Sequence, residues 1–458
     1  MKVIHIPYSF PPDPFGGTEV YVANLARLLQ DRGIETLVCA PGETPTAYRY
    51  GELRVRRWTG TGVVDDAAYA YDEGDAIGCA QFERIVDEES PDIVHFHSFT
   101  AMASLRLARR LVERGVRVTF TYHVPTVSCL RGAMLLWGSV PCDGRLLVER
   151  CTACTAHGKG VPRALAQALG RIPVRIGEAV QDAKLSGGAW TGLRLTRLVK
   201  MRHDSVRSFL ALADRIVAPS PWVTEMLVAN GVPIEKVLAC PQGVAVAGGT
   251  VPPPAAERRG GGLSMAFLGR LDPTKGVDVL LDALALIPGV DASLDIYPVL
   301  PRRNNPYAAA ILARIAKDPR VRLLPAVASD AAVAAMQRYH LVAVPSQWLE
   351  TGPLVVLEAF AAGVPVLGSN LGGIADRVRH GVDGLLLDPR RPVEWAESIR
   401  RLAEQPASLR ALKAGVRAPR TMDEVCASMI EMYRDVLASR SEVRSPAGLV
   451  PAPLAPAP

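Results

Sequence analysis

The stretch Pro345-Ser346-Gln347-Trp348-Leu349-Glu350-Thr351-Gly352-Pro353-Leu354-Val355-Val356-Leu357-Glu358-Ala359-Phe360 decides how this chain is read. It follows a predicted strand over 341–344 and a turn. Thr351 is placed as the cap of a helix whose first turn holds Pro353, and Gly363 with Pro365 closes that helix, the positions these residue types favour. The amides of Gly352, Leu354 and Val355 then offer an anion site for a diphosphate, strengthened by the helix dipole. Glu350 stands just before the helix and reaches its mouth. Glu358, within it, can bond a polyol such as a ribose if its face turns to a cleft. From spacing alone the two glutamates are as readily surface carboxylates.

Outward from this stretch the pattern of strand and helix repeats. Residues 2–7 read as a buried strand, 8–17 as a Pro/Gly loop and 19–32 as an amphipathic helix, with Thr18 as its cap and Val22, Leu25, Ala26 and Leu29 on one face. Strands follow at 35–39, 93–96, 116–122 and 215–218, with a helix over 102–114. This implies a parallel sheet with right-handed crossovers. After the Gly/Pro-rich run 241–262 the alternation restarts, with strands at 265–268, 294–297, 321–324 and 341–344 and helices over 277–287, 306–316 and 331–339. The expected fold is α/β, two Rossmann-like doubly wound parallel-sheet domains facing across a cleft. The expected division is 1–245 for the first domain, with an inserted, helical segment over about 127–210; 246–262 for a hinge-like linker; 263–420 for the second domain; 421–440 for a last helix; and 441–458, rich in Pro and Ala, for a disordered tail.

The totals agree with two folded domains. The chain has 458 residues, 49% of them hydrophobic and 21% charged, more than one hydrophobic core sustains. Its 52 basic and 46 acidic residues leave a net charge of +6, so the charge mostly cancels and assigns no nucleic-acid partner. Residues 1–7 run directly into a β-rich segment with no leader pattern, and no apolar run is long enough to span a bilayer. The expected location is the cytoplasm, where the eight cysteines serve as thiols or metal ligands.

Glu350 and Glu358, seven residues apart, together with Gly363-Val364-Pro365-Val366, resemble the E-x7-E signature of the family-4 retaining glycosyltransferases, which have the GT-B fold. Four further stretches agree in order and spacing over most of the chain. Gly269-Arg270-Leu271-Asp272-Pro273-Thr274-Lys275-Gly276 is a strand-to-helix turn carrying two cations. The resemblance implies that Arg270 and Lys275 bind the donor diphosphate, neutralising the charge on the leaving group without a metal. Gly16-Gly17 opens the first helix, where missing side chains let backbone amides approach a phosphate or sugar. Thr121-Tyr122-His123 ends a strand, and in the resembling enzymes this histidine lies beside the donor sugar. His95 and His97 precede it, one of them expected to pack within the sheet edge. Ser220-Pro221-Trp222 and Pro241-Gln242-Gly243-Val244 resemble the family's approach to the linker, with Gln242 where Asn is usual. Tyr297-Pro298, Pro325 and His340 also depart from the family pattern and leave the nucleotide base unread.

The resemblance therefore implies a hexosyltransferase with catalytic residues His123, Arg270, Lys275 and Glu350. Its donor-binding residues are Gly16, Gly17, Gly269, Arg270, Lys275, Thr351, Gly352, Pro353, Leu354 and Glu358. A nucleotide sugar binds the second domain and a glycan or lipid-linked acceptor the first, and no cofactor takes part in the chemistry. An epimerase of the same fold and a silent sugar-binding protein are the alternatives. Two features stand outside this scheme. Cys129, Cys142, Cys151 and Cys154, spaced C-x12-C-x8-C-x2-C, suit a closed structural zinc site as well as they suit buried thiols. The basic, helical segment 163–209 suits contact with an anionic membrane or a solvated flank, and its interruption by Gly170, Gly177, Gly187 and Gly188 favours the flank.

Overall fold

A computed structural model describes residues 1–13, 16–62, 69, 72–185, 187–245, 262–299 and 305–439 of the protein. The tail expected over 441–458 and all but the last residue of the expected linker lie outside them.

The first sheet has eight strands: β1 (Lys2–Ile6), β2 (Glu35–Pro41), β3 (Thr46–Tyr50), β4 (Leu53–Trp58), β5 (Ile93–Phe96), β6 (Arg117–Thr121), β9 (Arg215–Ala218) and β10 (Val237–Ala239), with a separate hairpin of β7 (Leu135–Leu136) and β8 (Val140–Pro141). Their order is β10-β9-β6-β5-β1-β2-β4-β3. Every pair is parallel except the edge pair β3–β4. The central strands are covered on both faces, so they read as near-continuous apolar runs. β3 and β4 escape that reading because arginine interrupts both, at Arg49 and at Arg54, Arg56 and Arg57, and charged residues are usual near a sheet edge. The second sheet joins β11 (Leu263–Arg270), β12 (Ala292–Val299), β13 (Val321–Leu323), β14 (Leu341–Val344), β15 (Val366–Ser369) and β16 (Gly384–Leu387) in the order β13-β12-β11-β14-β15-β16. All its pairs are parallel. This is the strand order 3-2-1-4-5-6 of a Rossmann sheet.

The first helix, Gly17–Gln30, buries Val22, Leu25, Ala26 and Leu29 as its spacing requires. Its cap is Gly16 rather than Thr18. Glu19 reaches back and accepts the Gly16 amide proton at 2.8 Å, the carboxylate half of a capping box, which starts the helix ahead of the threonine. Between β6 and β9 the insertion holds helices Val148–Gly158, Arg163–Gly170, Val174–Asp182 and Gly188–Leu212. Gly170 and Gly177 mark helix contacts, while Gly187 and Gly188, at φ 90° and 26°, open the last of these helices. A Cβ on Gly170 would lie 2.5 Å from the carbonyl oxygen of Glu149, and one on Gly177 would lie 3.0 Å from Cβ of Arg197. Among the described residues no helix is long and apolar enough to cross a membrane.

The last helix, Met422–Ala438, is capped by Thr421 with Glu424 in a complete capping box. It returns to the first domain, where Val425, Met429 and Tyr433 join Val3, Tyr21, Val22 and Leu25 in one core. The return crosses residues 243–244 closely: a Cβ on Gly243 would lie 2.3 Å from the Thr421 carbonyl oxygen, and Val244 donates to the carbonyl of Arg420 at 2.9 Å. Tyr433 is fully buried, and its hydroxyl meets Nδ1 of His95 at 2.6 Å. Chemical denaturation is expected to show Tyr433→Ala destabilised by about 3–5 kcal/mol through the cavity it leaves. Tyr433→Phe should lose only about 1–3 kcal/mol, through the unpaired His95 nitrogen. Equal, negligible losses in both variants would contradict this docking.

Candidate functional site

The order of the second sheet reverses between β11 and β14, and an open α/β sheet binds its ligands at such a point, beyond the carboxyl ends of the strands. The two loops that leave β11 and β14 meet there. Gly276 has φ 69°, and a Cβ on it would lie 2.0 Å from the carbonyl oxygen of Pro345. Only glycine lets the loops pack this closely. The Gln347 amide donates to the Thr274 carbonyl at 2.8 Å. Held by these contacts, Lys275 Nζ donates to Glu350 Oε1 at 2.6 Å, and Ser346 Oγ donates to the same oxygen at 2.9 Å. Glu350 is 7% exposed. Burial alone would raise its pKa, but the Lys275 ammonium, by charge and by hydrogen bond, holds the carboxyl below its ordinary value. The site therefore keeps an ionised, paired carboxylate at neutral pH.

The helix that follows spans Leu354–Ala361. Its cap is Pro353, without a side-chain hydrogen bond, and Gly363 closes it at φ 69°. Thr351 does not cap it. Its hydroxyl donates instead to the carbonyl oxygen of His123 in the first domain, a tertiary partner that outcompetes the local one. This belongs to a wider docking of residues 349–351 on the first domain. The Leu349 amide donates to the carbonyl of Ala133 at 3.1 Å, and Trp222 Nε1 donates to the carbonyl of Glu350 at 3.1 Å. Gly352 faces Gln242, where a Cβ would come within 2.1 Å of Oε1. A Cβ on Gly17 would come to 3.4 Å from Leu354 Cδ1, so the first turns of the two helices lie side by side across the junction.

The remaining predicted residues divide. Gly269 and Arg270 end β11, but Arg270 stands exposed and pairs with Asp272 at 3.2 Å rather than joining Lys275 and Glu350. The Gly16 amide is already bonded to Glu19, which leaves Gly17 nearer the helix mouth. Glu358 is partly buried, and desolvation pushes its carboxyl from 4.5 up to about 7. The four insertion cysteines line one cavity of about 30 Å³, with no three of their sulfurs within 4.8 Å of one another. Among the described residues only His5, His95 and His97 place three ligand atoms within that distance. The Cys154 sulfur accepts the Trp137 amide proton at 3.3 Å, a bond that a thiol and a metal-bound thiolate make alike.

The histidines depart furthest from expectation. His95 and His97 are both buried, and with His5 and His123 they form a contiguous group under the junction. His5 is not singled out by the sequence. Its place beside His95 follows only once β1 and β5 are known to pair. Gln242, read as a departure from a family turn, is another residue whose position at the helix mouth needed the fold.

The family model for "Glycosyl transferases group 1" matches residues 255–418, and that for "Glycosyl transferase 4-like domain" matches residues 16–243. The chain belongs to the family-4-type GT-B glycosyltransferases. A relative of this glycosyltransferase, the D-inositol 3-phosphate glycosyltransferase of Rhodococcus opacus, is 34% identical over 182 residues, 37% of this chain. The match spans 40% of that relative's length. Among solved structures, sucrose-phosphate synthase from Thermosynechococcus elongatus superposes with a TM-score of 0.65 at 17% identity, covering 96% of this chain and 99% of that one. HepE of Anabaena, solved with UDP and glucose, gives 0.61 at 16% identity, covering 95% and 100%. At these identities the likeness concerns the fold.

The raised pKa of Glu358 gives a test of its surroundings. The folded chain holds this proton more tightly than the unfolded chain, so stability should fall as pH rises from about 4.5 to about 7 and then level off. Glu358→Gln removes the effect. Unfolding measurements should find the variant more stable than the parent by about 1–3 kcal/mol at pH 8, with the advantage gone at pH 4. A constant difference across that range would mean that Glu358 is not desolvated.

Proposed function

We propose that this glycosyltransferase moves a hexose from a nucleoside-diphosphate sugar to a hydroxyl-bearing acceptor with retention of anomeric configuration. The observation that carries the reading is the Lys275–Glu350 pair, its carboxylate buried, beside the first turn of the Leu354–Ala361 helix, at the switch point of a Rossmann sheet. The amides that open a helix have no acceptor in the preceding turn; here Val356 donates to the Pro353 carbonyl at 3.1 Å, which leaves Leu354 and Val355 as the donors at the mouth. Together with the Lys275 ammonium and, after a rotation away from Asp272, the Arg270 guanidinium, they make a seat for a diphosphate. Negative charge grows on that diphosphate as the bond to the anomeric carbon breaks, and stabilising it there lowers the barrier. The acceptor oxygen bonds to the same face of the anomeric carbon, and its proton passes to an oxygen of the leaving phosphate. Retention follows from the family resemblance.

Glu350 serves here as an anchor for Lys275 and a partner for a sugar hydroxyl. Its tie to Lys275 and Ser346 makes it a poor nucleophile. Glu358, one turn further along that helix, is the candidate partner for the ribose hydroxyls that the family resemblance implies. His123 lies at the acceptor side of the junction. The relatives named D-inositol 3-phosphate glycosyltransferases make a phosphorylated polyol the first acceptor class to try, and lipid-linked saccharides are the second.

Calorimetry against UDP, GDP, ADP and TDP tests the seat. One nucleotide should bind preferentially, and Arg270→Ala and Lys275→Ala should each weaken it by about tenfold or more. Arg270 is the cleaner variant, because it is exposed and leaves no buried charge behind. No binding of any of the four to a folded protein would overturn the transferase reading in favour of a silent sugar-binding one.

A further inference from the structure

Three buried imidazoles run in a hydrogen-bonded line from the sheet interior to the domain junction. His5 Nδ1 meets His97 Nε2 at 3.1 Å, and His97 Nδ1 meets His123 Nε2 at 3.0 Å. His123 Nδ1 in turn faces Gln242 Nε2 at 3.5 Å. All four side chains belong to residues no more than 5% exposed. His5 comes from β1 and His97 follows β5, the two strands between which the order of the first sheet reverses. The line therefore lies at the floor of that sheet's ligand crevice.

Three nitrogens of His5, His95 and His97 lie within 4.8 Å of one another, yet the group is not arranged as a metal site. The His95 and His97 rings stack at 4.1 Å with 29° between their planes, and His5 lies 30° from His97. Lone pairs lie in the ring plane, so stacked rings direct them alongside one another rather than to one point. Both nitrogens of His95 are also engaged, with Tyr433 at 2.6 Å and Thr121 at 2.8 Å.

A neutral imidazole has one N–H and one lone pair. Burial drives the pKa of His5 and His123 down to about 3 and holds His97 well below its ordinary value, so all three are neutral under ordinary conditions. Each link needs a proton on one side and a lone pair on the other. The line therefore has two consistent states, with every proton on Nε2 or every proton on Nδ1. The Gln242 amide must match: its NH2 group faces His123 in the first state, and its oxygen does so in the second. Gln242 Nε2 is the atom that faces His123 Nδ1, as the first arrangement requires, and His5 Nε2 is then the buried, unpartnered far end of the line. Gln242 Oε1 is then buried with no partner and lies where a Cβ on Gly352 would be 2.1 Å away. It is presented at the helix mouth as an acceptor.

We propose that His97, with His5 behind it, is a positioning residue that fixes the tautomer of His123, and through it turns the Gln242 amide oxygen toward the ligand, so that the site selects a ligand hydroxyl at that point. The inference rests on the transferase reading for the identity of the ligand, a hexose or polyol hydroxyl. It does not rest on that reading for the tautomers.

The experiment reads the ring nitrogen shifts of His123 by NMR in histidine-labelled protein without ligand, alongside transfer kinetics. In the parent protein His123 should be a single tautomer with its proton on Nε2. His97→Phe should leave a mixture and lower kcat/KM for transfer about tenfold while nucleotide diphosphate still binds. His97→Gln, which again offers a donor and an acceptor, should restore much of both. Gln242→Leu, changed beyond His123, should keep the Nε2 tautomer and lose only the contact with the ligand, and it serves if His97→Phe does not fold. An unmixed tautomer in folded His97→Phe with nucleotide binding intact, or a mixed one in folded Gln242→Leu, would overturn the inference alone. Absence of nucleotide binding in the parent would overturn the transferase reading, with the tautomer result still readable.

Discussion

The ion pair between the buried Glu350 and the partly exposed Lys275 is the contact on which the helix mouth depends. An enclosed carboxylate is costly to leave unpaired, and removing one member of a fully buried pair costs about 3–5 kcal/mol. The pair therefore ties the turn after β11 to the loop after β14. The same closeness forbids a side chain at Gly276, because the Pro345 carbonyl occupies its place. The loop so fixed is the one that begins the Leu354–Ala361 helix, and the orientation of that helix mouth follows from the pair.

The loop also holds the two domains together. Leu349, Glu350 and Thr351 each bond to the first domain through main chain or hydroxyl, and Leu349 joins the first domain's hydrophobic core. The last helix makes a second tie by packing its apolar face beside β1 and the first helix. A ligand at the junction therefore touches groups that are positioned from both domains.

Much of this was legible in the sequence because parallel strands covered on both faces are uninterrupted apolar runs, and because helix ends are marked by glycine and proline. The central strands of both sheets, the last helix, the position of Lys275 and Glu350 and the closure at Gly363 are of this kind, whereas the outer strands β10, β15 and β16, short runs toward the ends of the sheets, are not. What escaped depends on partners distant in sequence. Thr351 looks like a cap until the His123 carbonyl is brought to it, and Thr18 looks like a cap until Glu19 claims the Gly16 amide. The stretch from β3 to β4 is too rich in arginine to resemble a strand until it is seen at an edge. His5 and His97 are unremarkable residues of separate segments, and only the pairing of β1 with β5 makes them neighbours. The four cysteines are a middle case: their spacing suggests a set, and the fold brings all four to one cavity.

The central claim is that the mouth of the Leu354–Ala361 helix, with Lys275 beside it, receives the diphosphate of a nucleotide sugar. Its most direct test is the crystal structure of the protein with the nucleoside diphosphate it binds most tightly. The account predicts a β-phosphate within about 3 Å of Lys275 Nζ and of the Leu354 amide, with Arg270 swung away from Asp272. A nucleotide bound elsewhere on the protein, with Lys275 engaged by Glu350 alone, would contradict it.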